Sequence, residues 1–150
     1  MSSLRLEIIT PENVRAACRV AVAPEQNAFV APVPVSLAEA YAYGDRAWPR
    51  LVMDGDQAVG FVMAGIDPAA ENENHRYGIW RLNVDAAHQG KGYGRFAIAE
   101  VLAELRRRGA RRATVSWVEA DGGPRDFYLK LGFTPIGEDG GETVGEIALD

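Results

Sequence analysis

Three closely spaced glycines, Gly90, Gly92 and Gly94, stand out in a chain of 150 residues that holds 16 glycines. They lie between a strand-like segment that ends at Val84 and an amphipathic segment that begins near Gly92. A glycine-rich turn at the start of a helix leaves N–H groups unpaired at the positive end of the helix dipole, and it lets a phosphate approach the backbone closely. Lys91 adds a cation at the same place. The turn therefore predicts a binding site for the phosphates of a cofactor.

Two familiar phosphate-binding sequences do not account for this turn. Gly92, Gly94 and Ala97 formally match the dinucleotide fingerprint Gly-x-Gly-x-x-Ala. However, six residues separate Val84 from Lys91, and the acidic residue expected about 20 positions further on is missing. A Walker A loop needs Gly-Lys followed by Ser or Thr, and the chain contains no such sequence. The pattern that fits is Gln-x-x-Gly-x-Gly, formed by residues 89–94.

The elements that must position this turn follow from hydrophobic periodicity. Alternating apolar residues predict strands at 4–8, 51–53, 58–66, 77–84, 113–118, 133–136 and 143–149. Helices are predicted after the Thr10 cap, from a capping box at Ser36 and Glu39 through Tyr41, over 92–108 and over 124–131. The order β-α-α-β-β-β-α-β-α-β-β predicts a mixed α/β (α+β) sheet with crossover units. Cys18 falls in the first helix and is expected to be a small buried side chain.

At this point the sequence resembles the GNAT superfamily of acetyl-CoA-dependent N-acetyltransferases. The segment from Gln89 to Gly94 is similar to the turn that binds the coenzyme A pyrophosphate in that family. The segment 127–133 resembles the family's Tyr-x-x-x-Gly-Phe helix end, and the two motifs with their strands cover residues from about 50 to 149. Further short segments look like the spermine/spermidine (diamine) acetyltransferase branch: Gln26, Phe29-Val30-Ala31, Ser36-Leu37, Val59-Gly60-Phe61, Trp80-Arg81 and Gly141-Glu142.

This resemblance implies a fold and an activity. The implied fold is GNAT-like: a central, mostly antiparallel sheet with a splayed pair of parallel strands and flanking helices, in a single domain over residues 1–150. The implied activity is transfer of the acetyl group of acetyl-CoA to a primary amine of a small molecule, a polyamine being one candidate, by direct attack on the thioester. An alkyl amine with a pKa near 10.4 is almost fully protonated at neutral pH, so freeing it costs about 4–5 kcal/mol and calls for a base or a water chain.

The resemblance also assigns roles to residues. Tyr128, whose phenolic O–H can donate, would lie beside the CoA sulfur and protonate the leaving thiolate. Backbone N–H groups around 82–84 would stabilise the oxyanion. The residues expected to bind the cofactor are Leu82, Asn83, Val84, Gln89, Gly90, Lys91, Gly92, Tyr93, Gly94, Arg95, Asp121, Phe127 and Lys130. Those expected to bind the acceptor are Gln26, Phe29, Trp80, Arg81 and Glu119.

Some positions depart from the family pattern or leave alternatives open. Asp121 stands where the family often has Asn, and Pro124 where it often has Ala, so Asp121 supplies no side-chain amide for a contact to the pantetheine arm. Arg81 lies inside a strand pattern and either faces solvent or pairs with an acid near the acceptor pocket. The residues among which the sequence does not choose a general base are Glu71, Glu73, His75 and Glu119.

Composition sets outer bounds on function. The 16 Lys and Arg against 21 Asp and Glu give a net charge of −5, which disfavours nucleic acid and anionic membranes and mildly favours a cationic partner. The chain has one cysteine, no signal-peptide pattern and no apolar stretch of about 20 residues. We therefore expect a cytoplasmic protein without a metal site, and the family resemblance suggests a homodimer.

Other functions stay open beside the leading one. The acceptor could instead be an amino acid, an aminoglycoside or a protein N-terminus. A non-catalytic module that binds and senses acyl-CoA is the alternative from another class, and the presence of Tyr128 argues against it. A dinucleotide-binding domain comes third because of the spacing of the turn.

Overall fold

The computed structural model describes residues 3–150, and in them seven strands form one sheet. The strands are β1 (Leu4–Glu7), β2 (Ala47–Asp54), β3 (Gln57–Ile66), β4 (Tyr77–Val84), β5 (Arg112–Trp117), β6 (Thr134–Asp139) and β7 (Glu142–Ala148). The α-helices are α1 (Val14–Arg19), α2 (Val33–Tyr43), α3 (Tyr93–Arg107) and α4 (Arg125–Leu131). The order of strands and α-helices is the predicted one. None of the helices in the described residues has both the length and the apolar character needed to cross a membrane.

The strand order across the sheet is β1-β2-β3-β4-β5-β7-β6, and every neighbouring pair is antiparallel except β4 with β5. The parallel pair is short, because it joins only Gly78 with Thr114 and Ile79 with Val115. Beyond these two pairs β4 and β5 separate and leave a gap. The close approach before the gap needs a glycine, since a Cβ on Gly78 would lie 2.5 Å from the backbone oxygen of Thr114.

Each face of the sheet carries its own apolar core. Helix α3 packs on one face through the predicted stripe of Ile98, Val101, Leu102 and Leu105, all of which are buried. Helices α1 and α2 cover the opposite face, where a second cluster centres on Leu51, Phe61 and Met63. We refer to these as the α3 face and the α2 face of the sheet.

A β-bulge in β4 changes which side chains reach the α2 face. Met63 pairs with Arg81 and the next residue, Ala64, pairs with Ile79, so Trp80 has no partner on β3. An extra residue of this kind places two consecutive side chains on one face of a strand. Trp80 and Arg81 accordingly both reach α2, where the Trp80 ring meets Tyr43 edge-on with centroids 5.0 Å apart.

Three sequence-based expectations about the N-terminal third are wrong. Helix α2 begins at Val33 rather than Ser36, because Pro34 suits a first helical turn and Ser36 is buried inside the helix, where it caps nothing. The first hairpin strand begins at Ala47, four residues before the predicted start. Cys18 is exposed, since α1 turns the preceding Ala17 towards the core instead.

Candidate active site

A cavity of about 840 Å³ occupies the gap between β4 and β5. The register assigns its lining side chains to both faces of the sheet. Val115 and Trp117 belong to the core on the α3 face, so alternation along β5 places Ser116 between them on the α2 face. The cavity therefore reaches the α3 face at Tyr128 and the α2 face at Trp80 and Ser116.

One end of the cavity is the glycine turn and the first turn of α3. Gly92 precedes the helix with a φ of +88°, and Gly90 has a φ of +79°, a region that side chains other than glycine rarely adopt. The amides of residues 92–95 have no hydrogen-bond partner among the described residues, and a Cβ on Gly90 or Gly92 would meet no atom within 4 Å. Free amides over open space at a helix N-terminus fit the pyrophosphate of coenzyme A.

A hydrogen bond from Tyr93 joins this turn to the β2–β3 hairpin. Its hydroxyl donates to Oδ2 of Asp54 at 2.5 Å, and the Ser3 hydroxyl donates to the other oxygen of the same carboxylate. These hydrogen bonds from Ser3 and Tyr93 lower the pKa of Asp54, and the bond to Asp54 raises the pKa of Tyr93. The first residue of α3 is thus held by a carboxylate that stays ionised at neutral pH.

Backbone groups of β4 line the middle of the cavity. The Asp85 amide donates to the Val59 oxygen on β3. Because backbone direction alternates along a strand, Leu82 and Val84 direct their N–H and C=O groups away from β3, towards the gap. The Gln89 side-chain amide donates a hydrogen bond to the Val84 oxygen at 3.0 Å. The N–H groups of Leu82 and Val84 remain directed towards the cavity.

Tyr128 lies on the α3 face within an aromatic cluster. Its ring stacks on Trp117 with centroids 5.8 Å apart, and Phe127 and Phe133 meet it edge-on. The residue is only 6% exposed but lines the cavity, and its hydroxyl has no hydrogen-bond partner among residues 3–150. Burial raises the pKa of this phenol well above its ordinary value. Tyr128 is therefore a protonated O–H group that faces the cavity.

The segment 26–32, which contains two residues predicted to bind the acceptor, is hydrogen-bonded to the glycine turn and to β4. Gln26 and Gln89 exchange two side-chain hydrogen bonds, of 2.7 and 3.3 Å. The Asn83 amide nitrogen donates to the Ala31 oxygen at 3.0 Å. Residues of the glycine turn and of β4 thus hold a segment that lines the cavity.

Arg81 pairs with an acid instead of facing solvent. Its guanidinium donates to Oε1 of Glu39 on α2 at 2.8 Å, and its side chain is 19% exposed. Of the two alternatives that the sequence left open for Arg81, solvent exposure or an ion pair, the structure shows the ion pair.

Most of the predicted site residues line the cavity: Gln26, Phe29, Trp80, Arg81, Leu82, Val84, Gln89, Gly90, Gly92, Tyr93, Gly94, Arg95, Phe127 and Tyr128. Five do not: Asn83, Lys91, Glu119, Asp121 and Lys130. Asn83 is buried behind the cavity, and Glu119 accepts from Trp117 Nε1 at 2.9 Å and pairs with Arg125.

The loop residues considered as general bases also lie outside the cavity. Glu73 pairs with Arg76, His75 binds Asp139 at 2.5 Å, and neither these residues nor Glu71 line the cavity. Sequence analysis did not assign Ser116 and Glu142 to the site, although both line it. Glu142 belongs to a segment quoted above for the diamine acetyltransferase resemblance, but no sequence signal marks Ser116, which strand pairing between β5 and β7 brings to the gap.

The chain is similar in sequence to known acetyltransferases. The model of the acetyltransferase (GNAT) family matches residues 31–133. The chain is 28% identical over 141 residues to the spermine/spermidine N(1)-acetyltransferase of Bacillus subtilis (strain 168), with 91% of each chain covered. It is 31% identical over 112 residues to the mycothiol acetyltransferase of Geodermatophilus obscurus, a match that covers 74% of this chain and 36% of that protein.

Solved structures share the fold. An acetyltransferase from Thermus thermophilus matches with a TM-score of 0.76 at 24% identity, covering 99% of this chain and 100% of that chain. The PaiA N-acetyltransferase of Thermoplasma acidophilum, solved in complex with coenzyme A, matches with a TM-score of 0.70 at 15% identity, covering 97% and 99%. The predicted fold, a mostly antiparallel sheet with one splayed parallel pair, is confirmed.

Proposed function

This chain belongs to the acetyltransferase (GNAT) family, and we propose that it acetylates a primary amine of a small molecule, with polyamines as the acceptor class. It is an acetyl-CoA-dependent N-acetyltransferase that acts on amine substrates. The observation that carries the small-molecule assignment is a continuous cavity that joins the α3 N-terminus, Tyr128 and the α2 face. Its volume of about 840 Å³ is in the range of pockets that enclose small ligands.

Acetyl-CoA supplies a thioester whose carbonyl carbon accepts the attacking amine. We assign the pyrophosphate to the free amides of residues 92–95, at the positive end of α3. The N–H groups of Leu82 and Val84 face the gap and are the donors that we expect to stabilise negative charge on the carbonyl oxygen. Tyr93 keeps the turn in place through Asp54.

Tyr128 is the group to which we assign the proton for the departing thiolate. Its hydroxyl faces the cavity without a partner among residues 3–150, and burial keeps the proton on the oxygen by raising the pKa. The stack on Trp117 holds the ring in one orientation. A donor held in this way needs no rearrangement at the moment of transfer.

Two observations support a polyamine as acceptor. The net charge of −5 favours the approach of a cation. The Bacillus subtilis protein that is 28% identical over 91% of this chain is called a spermine/spermidine acetyltransferase. We also propose that residues 1–150 act as one domain and that the protein works in the cytoplasm. A homodimer is a further proposal, which size-exclusion chromatography of the purified chain tests.

An amine panel tests the acceptor class. We expect purified protein and acetyl-CoA to release free thiol with spermine and spermidine, at a kcat/KM at least tenfold above that with amino acids, aminoglycosides or a peptide N-terminus. Thiol release with one of the other amines alone would replace the polyamine by that class. Binding of coenzyme A without thiol release from any amine would support the alternative of a non-catalytic sensor.

A further inference from the structure

We propose that the Glu142 carboxylate binds a second, charged ammonium group of the acceptor and thereby selects diamines and polyamines over monoamines. This inference rests on the amine acceptor proposed above.

Strand register places Glu142 on the α2 face of the sheet. Glu142 is the first residue of β7, and the next residue, Thr143, pairs with Trp117 of β5. Thr143 therefore shares the α3 face with Trp117, and alternation turns Glu142 to the opposite face, beside Ser116. Glu142 lines the cavity from this face, whereas Tyr128 lines it from the α3 face, through the gap.

The charges along the cavity leave Glu142 unneutralised. The charged side chains that line it are Arg81, Arg95 and Glu142. Arg81 is neutralised by Glu39 at 2.8 Å, and Arg95 belongs to the first turn of α3, at the cofactor end. The Glu142 side chain has no hydrogen bond or ion pair to any other residue in the described part of the chain. The α2 side of the cavity thus presents one free carboxylate.

The neighbour across the hairpin does not supply a cation to Glu142. Asp139 of β6 is its partner in the register, and the Asp139 carboxylate already binds His75 Nε2 at 2.5 Å. Two carboxylates directly opposite each other repel. A cation that binds to Glu142 relieves this repulsion, and an alkylammonium group supplies N–H donors for both carboxylate oxygens.

This role differs from that of a general base. The amine that attacks must lose its proton, whereas the second amine of a diamine stays charged at neutral pH because its pKa is near 10.4. A carboxylate that binds the charged amine contributes to binding and leaves the chemistry at the first amine unchanged. Loss of the Glu142 charge is therefore expected to raise KM for diamines and polyamines with little effect on kcat.

The experiment compares Glu142→Gln, Glu142→Asp and the control Glu138→Gln with spermidine and n-butylamine as acceptors. Glu138 lies on the same hairpin, but it pairs with Thr143 and so faces away from the α2 face. For Glu142→Gln we expect KM for spermidine to rise about tenfold or more, the loss of one charge-assisted hydrogen bond. KM for n-butylamine and for acetyl-CoA should stay within about twofold, and Glu142→Asp and Glu138→Gln should resemble the wild type.

Equal KM values for spermidine in wild type and Glu142→Gln, or an equal rise for both amines, would overturn the inference. A Glu142→Asp variant as impaired as Glu142→Gln would do the same, because it would assign the effect to packing rather than charge. Calorimetry of spermidine binding to the coenzyme A-loaded protein gives a second measure, with the same expected tenfold loss of affinity. If the wild type binds spermidine through Glu142 but acetylates no amine, the proposed function fails and the binding inference stands.

Discussion

Tyr128 combines a buried aromatic ring with a hydroxyl that faces the cavity. Trp117 and Phe133 pack against the ring, and no described residue accepts a hydrogen bond from the hydroxyl. The unpaired hydroxyl is therefore accessible to a ligand in the cavity.

Substitution of Tyr128 by Phe should lower kcat about 10²- to 10⁴-fold, the usual contribution of a general acid. KM for acetyl-CoA should change less than about threefold, because the ring and its stack on Trp117 remain. The control is Tyr41→Phe, since Tyr41 is 92% exposed and lies outside the cavity. Steady-state thiol release checks both variants, and a folded Tyr128→Phe enzyme with wild-type kcat would contradict the assigned role.

The pH profile should lack a descending limb from Tyr128 ionisation. Burial raises the pKa of this phenol well above the ordinary value of about 10, so the proton stays bound at the pH values where the amine becomes neutral. kcat/KM for spermidine should therefore rise with pH and level off near the amine pKa, without a fall up to about pH 10. A decline below that pH that disappears in Tyr128→Phe would be the contrary result.

The same pKa shift has a consequence for stability. The folded state favours the protonated phenol of Tyr128. The contribution of this group to the free energy of unfolding is therefore fully present below the unfolded pKa of about 10, and it is lost as the pH rises from there towards the pKa of the folded state.

Strand β7 positions the aromatic cluster by leaving room for it. Gly145 lies beneath Trp117, and a Cβ at this position would lie 2.6 Å from the indole ring. Trp117 in turn carries Tyr128 on its other side. The absence of a side chain at Gly145 thus sets the position of Trp117 and, through it, of Tyr128, the proposed acid.

We expect Gly145→Ala to lower the free energy of unfolding by about 1–3 kcal/mol, the usual cost of overpacking a core. The displaced Trp117 should also reduce kcat at temperatures where the variant is folded. Gly65→Ala is the matched control in a strand, because the nearest atom to its Cβ would be 4.0 Å away. Urea denaturation and thiol-release assays measure the two effects, and a fully stable, fully active Gly145→Ala would show that Trp117 does not need this space.

Side-chain hydrogen bonds join the two segments that we propose to bind acetyl-CoA and the acceptor. Gln89 belongs to the glycine turn, and its amide donates to both the Val84 oxygen and the Gln26 side chain. Asn83, which does not line the cavity, holds Ala31 from behind. These residues act on the site by holding the segment 26–32 in place.

At the scale of the whole molecule, the cofactor should bind the folded state and stabilise it. A ligand at 100 times its Kd adds about 2.7 kcal/mol, which for a chain of this size raises Tm by about 5–10 °C. We expect this shift with coenzyme A and none with NADH, because the glycine turn lacks the spacing and the acid of a dinucleotide fold. A thermal melt with each ligand measures it, and an equal shift with NADH would contradict the assignment of the turn.

Local pattern was sufficient for most of the elements. The stripe of Ile98, Val101 and Leu102 placed α3 within a residue of its observed ends, because helix periodicity is a property of neighbouring residues. The start of α2 was wrong because Ser36 and Glu39 form a cap only if the side chains are free. In the fold Ser36 is buried and Glu39 binds Arg81, which lies 42 positions away along the chain.

The sequence by itself determined the order of the elements and predicted the roles of the glycine turn and of Tyr128, because these depend on residue types at short spacing. Only the tertiary structure decided the partner of Arg81, the bulge that turns Trp80 and Arg81 to one face, and the presence of Glu142 in the cavity. These features come from strand pairing and helix packing between residues far apart in the chain. The prediction of the acetyl donor thus comes from the glycine turn, whereas the features proposed to bind the acceptor arise from the register of the sheet.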